Sequence, residues 1–379
     1  MAVHSRFRWA RRAVLAAVTL LLTIVLAGCG AGERGAAAGP VDQNGLQKAK
    51  DLITQFSSRP TELNVTAPVG KAIPAGKTVD FISCAAADCN VIAGVLRASA
   101  AKLGWTLNVI NTDGSPESQQ QAFAQVVRDK ADGVIYIAID RSVYERFLPE
   151  LKANGTWMVS ACSNNEPGNG IDYAICTPDQ QKGAGKLMAA YMVADSGGQA
   201  NAVYFNVPAF VNLSKMQDEF LGTMKELCPS CGTATQDIPV TALGNGVPQL
   251  IVGYLRAHPE VNYVSLSIDS LASGLPAQLK AAGLDHVKII GEGGGDTTWQ
   301  YIKTGDQIAS VPSPFVETYL AGLDSIVRHV TGVPQVPSQL ARFWVVTKDN
   351  VAQTDQKVAG ATPVVVGSDR MFHQLWGVS

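Results

Sequence analysis

From Thr78 onward the chain alternates short apolar, β-branched runs with segments of helical apolar spacing. No other feature restricts the fold as much, because each period places side chains on a defined face. Thr78–Cys84 (TVDFISC) reads as a strand. Val91–Leu103 reads as a helix with Ile92, Val95, Leu96 and Leu103 on one side. Thr106–Ile110 is the second strand, and Ser118–Lys130 is a helix centred on Phe123, Val126 and Val127. Gly133–Ile139 (GVIYIAI) is almost continuously apolar, as a parallel strand buried on both faces must be. Tyr144, Phe147, Leu148 and Leu151 space as a helix, and Thr156–Ala161 is the fourth strand. The series then repeats with a helix at Lys182–Ala194, a strand at Asn201–Asn206, a helix at Leu213–Leu227 and a strand at Thr233–Ile238. It continues with a helix at Gln249–Ala257, a strand at Asn262–Ser267, a helix at Leu271–Ala282 and a strand at His286–Gly291. Val316–Val330 is a further helix and Ala341–Val346 a late strand. Two successive series of this kind predict an α/β fold of two doubly wound parallel-sheet lobes. The length of 379 residues suits two domains of roughly 100–200 residues each.

In such sheets ligands sit beyond the carboxyl ends of the strands. Here those loops are rich in Asp, Asn, Ser and Gly. Polar candidates for a binding surface are Asp88, Asn90, Asp113, Asp140, Arg141, Asn164, Asn212, Asp269 and Asp296. Cys162 joins them, and Phe210, Trp299 and Phe315 are candidate aromatic walls. Ordinary turn and cap chemistry competes with that reading at single positions, notably Asp113 and Asp269.

The first 28 residues read as a secretory signal. Arg6, Arg8, Arg11 and Arg12 precede Ala13–Ala27, a run without charge. That run is shorter than the roughly 20 residues of a membrane span and suits the core of a signal peptide. It ends in Leu26-Ala27-Gly28-Cys29, which resembles the bacterial lipobox, so Cys29 is the expected lipidated first residue of the mature chain. Arg11-Arg12 is an incomplete twin-arginine signal. Residues 29–76 then hold a flexible tether (Gly30–Gly39), a short amphipathic helix (Asn44–Phe56) and a linker with Pro60, Pro68 and Pro74. The whole chain has 30 basic and 32 acidic side chains; removing the four arginines and no acid of the signal leaves a net charge of −6. The charged fraction of 16% is low and carries no basic footprint, which argues against nucleic acid as a partner.

Apart from Cys29, six cysteines remain: Cys84, Cys89, Cys162, Cys176, Cys228 and Cys231. An even number in an exported chain points to disulfides, and six allow fifteen pairings. The simplest set joins the local pairs Cys84–Cys89 and Cys228–Cys231 and leaves Cys162–Cys176. Cys228-Pro-Ser-Cys231 follows a helical stretch, the reverse of a redox motif that opens a helix, so a structural staple is expected. No metal site is expected, because the histidines at 258, 286, 329 and 373 lie far from any cysteine pair. The chain lacks the G-x-S-x-G, H-E-x-x-H and phosphate-loop motifs, and Glu292-Gly-Gly-Gly-Asp296 is not a dinucleotide fingerprint. We expect no enzyme and no cofactor.

Ala98-Ser-Ala-Ala-Lys-Leu-Gly-Trp105 before a strand, Ala131-Asp-Gly-Val-Ile135 followed by Asp140, Leu255-Arg-Ala-His-Pro-Glu-Val-Asn-Tyr-Val264 and the Ile289-Ile-Gly291 strand occur in an order that resembles the type I periplasmic binding proteins, in their ribose-binding-like branch. The resemblance runs from about Lys77 to Val346. It implies two lobes joined by a three-segment hinge, with crossings near Cys176-Thr177, Ser313-Pro314 and Phe343. The lobes would be residues 77–176 with 314–342, and 177–313 with 343–379. It further implies a monomeric, membrane-anchored extracytoplasmic protein that closes on a small-molecule ligand, sugar-like by resemblance, and delivers it to the permease of an ABC importer. The alternatives are a ligand sensor that presents its bound form to a membrane receptor, and a binding protein for a less polar, non-sugar solute. A regulator of the lac-repressor type shares the fold, but the chain has no basic headpiece and begins with a signal segment.

The ligand residues of sugar-binding relatives carry over poorly. Their Asp-Arg pair after the fourth strand is Cys162-Ser163, and their second-lobe arginine falls within Phe210–Ser214. Their asparagine before Asp269 is Ile268, their aspartate is Gly293, and their glutamine falls near Ser313. Their aromatic pair after the first strand is the Asp88–Asn90 region.

Overall fold

The computed structural model describes residues 40–84, 87–337 and 341–378. The expected signal peptide, the lipidation at Cys29 and the tether lie outside the described residues. The chain from Ala38 onward is one compact unit.

It begins with α1 (Gln43–Gln55), whose amide groups at Asn44 and Gly45 donate to the Asp42 carboxylate at 3.0 and 3.1 Å. That aspartate cap satisfies two of the four orphan amides of a helix start. The first lobe follows as β1 (Thr78–Ser83), α2 (Ala87–Lys102), β2 (Thr106–Asn111), α3 (Pro116–Asp129) and β3 (Gly133–Ile137). It continues with α4 (Arg141–Tyr144), α5 (Leu148–Asn154), β4 (Trp157–Ala161) and β5 (Tyr173–Ile175). These strands make a parallel sheet in the order β2-β1-β3-β4-β5.

The strand period of two explains why β3 is apolar on both faces. Val79 and Phe81 of β1, Ile135 of β3 and Val159 of β4 pack on one face, with α2. Ile82, Val134, Tyr136 and Met158 pack on the other, around Phe123 and Tyr144. A sheet covered on both faces has no solvent side to leave polar.

The second lobe contains α6 (Pro178–Asp195), β6 (Asn201–Asn206), α7 (Leu213–Leu227), β7 (Gly232–Asp237), α8 (Val247–Ala257) and β8 (Tyr263–Leu266). It then runs through α9 (Leu275–Ala281), β9 (Lys288–Gly293), α10 (Asp296–Thr304) and β10 (Ala309–Pro312). After α11 (Phe315–Thr331) comes β11 (Val346–Thr347), and the chain closes with α12 (Ser368–Trp376). The second sheet has the order β11-β10-β9-β8-β6-β7, parallel except for β11. Gly185 lets α6 meet α7 closely, since a Cβ there would run into the Met216 carbonyl.

Three elements depart from the sequence reading. The late strand is only β11, because residues 341–345 pair elsewhere: the Val345 amide donates to the Phe56 carbonyl at 2.8 Å and Trp344 Nε1 to the Ser57 carbonyl at 3.2 Å. The end of the chain does not stay with the second lobe. Trp344, Val346, Val351 and Val364 pack with Trp299 and Ile302 of α10, but Val365, Phe372 and Trp376 join the first-lobe core. The stretch before β1 is likewise divided: Leu46 and Ala49 of α1 are buried in the second-lobe core, whereas Leu63, Val65 and Val69 are buried in the first. The chain therefore also passes between the lobes within residues 57–62 and at 364–365, in addition to the crossings expected near 176, 313 and 343.

The cysteines pair as Cys84–Cys89, Cys162–Cys176 and Cys228–Cys231. Cys228 ends α7, so its short loop closes a helix C-terminus and does not open one.

Candidate functional site

Each sheet reverses its strand order once, between β1 and β3 in the first lobe and between β6 and β8 in the second. Chains leaving adjacent strands in opposite directions open a crevice at that point. Here the two crevices share one cleft of about 630 Å³, measured out to its open mouth. The first lobe lines it with Cys84, Asp88, Cys89 and Ile92 after β1, and with Ile137, Ala138 and Cys162 after β3 and β4. The second lobe adds Gln181 of α6, Phe210, Asn212 and Leu213 after β6, Ile268 after β8, and Glu292 and Gly293 of β9. Cys176, Ser313 and Phe315 come from the crossings themselves.

The walls are apolar and the polar groups are few, the usual make-up of a small-molecule site. Three lining residues other than glycine hold left-handed backbone: Ala138 at φ 56°, Cys162 at φ 48° and Cys176 at φ 51°. Such strain persists only where the surrounding structure imposes it, and it gathers at functional sites. Two of the three, Cys162 after β4 and Cys176 after β5, are bonded to each other as a disulfide at the first crossing.

Three carboxylates stand at or beneath the cleft. Asp269 is 3% exposed and accepts from the Gly294 amide (2.8 Å), Gln307 Nε2 (2.7 Å) and Ser310 Oγ. Burial still raises its pKa, against those three donors. Glu292, 6% exposed, accepts from Ser313 Oγ. Burial, reinforced by the charges of Asp269 and Asp88, pushes its carboxyl up to about 8. Burial, with the charge of Asp269, pushes Asp88 up to about 6. A carboxylate in low dielectric beside others of its kind holds its proton. The three successive glycines after Glu292 serve this arrangement. Gly293, Gly294 and Gly295 have φ of 122°, 83° and 124°, and the turn they permit aims the Gly294 amide at Asp269.

The structure gathers Asp88, Cys162, Phe210, Asn212 and Phe315 of the sequence candidates into the cleft. Asp269 lies behind it, holding the loop. Asn164 sits at the rim and reaches across, donating to the second-lobe carbonyl of Val211 at 3.4 Å. The others are elsewhere. Asn90 is exposed on α2. Asp113 accepts from the Ser115 amide at 2.8 Å in the turn before α3. Asp140 caps α4 through the Ser142 amide at 2.9 Å, and Arg141 pairs with Glu145 at 3.4 Å. Asp296 pairs with Lys357 at 2.7 Å. Trp299 is core, its Nε1 donating to Thr362 Oγ1 at 2.9 Å. For Asp113, Asp140 and Asp296 a short side chain beyond a strand end met a nearby amide or cation and does not line the cleft.

Sequence reasoning missed Glu292 and Gln181 as cleft residues. The signal for Glu292 was an acid directly after Ile289-Ile-Gly291, inside a strand otherwise apolar at its end. Gln181 had none, because its helix begins at Pro178, four residues before the expected start. Among the described residues no group of histidine, cysteine and acidic side chains is arranged to hold a metal ion. No helix among them is long and apolar enough to cross a membrane.

Among curated proteins none matches the chain. Among solved structures, a sugar ABC transporter subunit from Rhodobacter sphaeroides superposes with a TM-score of 0.64 at 18% identity, over 73% of this chain and 99% of its own. A solute-binding protein from Agrobacterium vitis with bound allitol gives 0.64 at 18% identity, over 75% and 99%. A periplasmic solute-binding protein from Actinobacillus succinogenes with bound D-allose gives 0.64 at 14%, over 74% and 99%. At these identities the likeness is one of fold. The model of the periplasmic binding protein domain matches residues 89–332, more than half the chain and most of both lobes, and on that ground the chain belongs to the periplasmic binding protein family.

Proposed function

We propose that the chain is the solute-binding component of an ABC importer of the sugar-transporter type, exported and held at the outer face of the membrane by a lipid on Cys29. The observation that carries this reading is the cleft itself. It lies where the strand-order reversals of two parallel sheets meet, with walls from both lobes and from the connections between them. A ligand there touches both lobes only when they are closed, so it favours closure by its differential contacts. The closed protein is what a permease would receive. Polyhydroxylated compounds are the class to try first, since structural neighbours hold allitol and D-allose. The signal segment and its Leu-Ala-Gly-Cys29 ending support the location.

The test is a thermal-shift screen of the compact unit from Ala38 onward against pentoses, hexoses, polyols, amino sugars, amino acids and nucleosides. A ligand at one hundred times its dissociation constant adds about 2.7 kcal/mol. A hit that also shrinks the radius of gyration in small-angle scattering establishes binding with closure. Stabilisation without any change in radius overturns the closure.

A further inference from the structure

The charge of the cleft is one-sided. Asp88 and Glu292 line it from opposite lobes, and the charge of Asp88 acts on Glu292. No lysine, arginine or histidine is among the residues that line it. Asp269 beneath the β9 loop acts on both, and the pair in turn acts on Tyr204 of β6 and Tyr319 of α11; none of these is a cation. Two further features point to a ligand. Gln181, 5% exposed, lines the cleft with its Oε1 unpaired, a buried acceptor without a donor. Phe210 and Phe315 stand in the same wall. Acceptors, aromatic faces and uncompensated carboxylates all attract one kind of group, an N–H-bearing cation.

Resting on the solute-binding reading above, we propose that the solute is a small hydroxylated amine, such as an amino sugar or amino polyol, held as its ammonium ion between Asp88 and Glu292. The ammonium supplies the positive charge that the cleft lacks and donates to carboxylates and to Gln181 Oε1. The hydroxyls and carbon skeleton lie against Phe210 and Phe315. Binding ionises Glu292, which is protonated in the empty protein at pH 7, so a proton is released to solvent. Affinity therefore rises with pH as Asp88 and then Glu292 lose their protons, until the amine itself becomes neutral.

The experiment uses matched probes: D-glucosamine, D-galactosamine and 1-amino-1-deoxy-sorbitol, each against its parent sugar or polyol, with the N-acetylated hexosamines as neutral controls of similar shape. Calorimetry at pH 5.5, 6.5 and 7.5, in buffers of different ionisation heat, reads affinity and protons together. The expected result is at least tenfold tighter binding of the amine than of its parent, tighter binding at pH 7.5 than at 5.5, and proton release at pH 7. Asp88→Asn and Glu292→Gln should each erase the preference for the amine over its parent, and Glu292→Gln should also abolish the proton release at pH 7. Parent compounds that bind as tightly as their amines, or affinity independent of pH, overturn the ammonium proposal and leave the solute-binding reading intact. Binding of neither series, by protein with an unaltered thermal transition, overturns the ammonium proposal; the solute-binding reading falls only if the wider screen also finds no ligand.

Discussion

Glu292 shows how a single buried acid ties the site to stability. Its pKa in the folded protein, about 8, lies above the usual carboxyl value of 4.5, so the folded state binds the proton more tightly than the unfolded one. Its contribution to stability is therefore complete below pH 4.5 and is lost as pH rises toward 8, at up to ~1.4 kcal/mol per pH unit. Glu292→Gln, which keeps the shape and removes the titration, should stabilise the empty protein by ~1–3 kcal/mol at pH 8 and by little at pH 4.5. Melting curves at the two pH values check it; equal effects at both would refute the buried charge. Phe210 makes the complementary case. It lines the cleft and is only partly buried, so Phe210→Ala should cost little in melting temperature but weaken any captured solute by about 1–2 kcal/mol. Titration of the variant with whichever probe binds the wild type decides this.

At the scale of elements, a buried ion pair within α11 anchors α12 through a tryptophan hydrogen bond. Arg328 Nε donates to Asp324 Oδ2 at 2.6 Å, both residues being almost fully buried. Trp376 Nε1 of α12 donates to Asp324 Oδ1 at 2.8 Å, and Arg328 also donates to the Ala67 carbonyl. The pair thus holds the segment before β1 and the last helix on one core. Removing one partner leaves the other charge buried and alone, so Arg328→Met should destabilise by about 3–5 kcal/mol. The double change Asp324→Leu with Arg328→Met should recover much of that loss, as urea unfolding would reveal. Gly185→Ala is the matching test for α6 against α7. The new Cβ meets main chain, which cannot swing aside, and a loss of about 1–3 kcal/mol is expected in the same measurement.

For the molecule as a whole, the connections between the lobes decide how it can move. Beyond the three expected, the chain crosses near residues 57–62 and 364–365, where the segments are bound to one another. Arg59 donates to the carbonyls of Val364 (3.3 Å) and Pro363 (2.6 Å) and lies over Trp344, and the Val366 amide donates to the Pro60 carbonyl at 3.1 Å. More crossings stiffen a hinge, so closure here should be a small rotation. Arg59→Ala should enlarge the difference in radius of gyration between empty and loaded protein; an unchanged or smaller difference in small-angle scattering would refute that. The Cys162–Cys176 bridge closes a loop of 14 residues at the first crossing, and its replacement by two serines should lower stability by roughly 3 kcal/mol.

Local periodicity determined most of the architecture from sequence alone. The runs at 78–84, 106–110, 133–139 and 201–206 became β1, β2, β3 and β6, because an apolar strand with covered faces has no alternative environment. The same periodicity could not show that residues 341–345 would hydrogen-bond to Phe56 and Ser57 and not to a sheet, since both partners ask for the same apolar segment. Nor could it show that α12 would return to the first lobe, because Phe372 and Trp376 would bury equally well against either core. Within the cleft, composition identified the loops but not the side chains that face inward. Asp140 and Asp296 were drawn to a nearby amide and a lysine, while Asp88 and Glu292 were left opposite each other. That division depends on which groups the tertiary structure brings within a few ångströms, and spacing along the chain does not carry it.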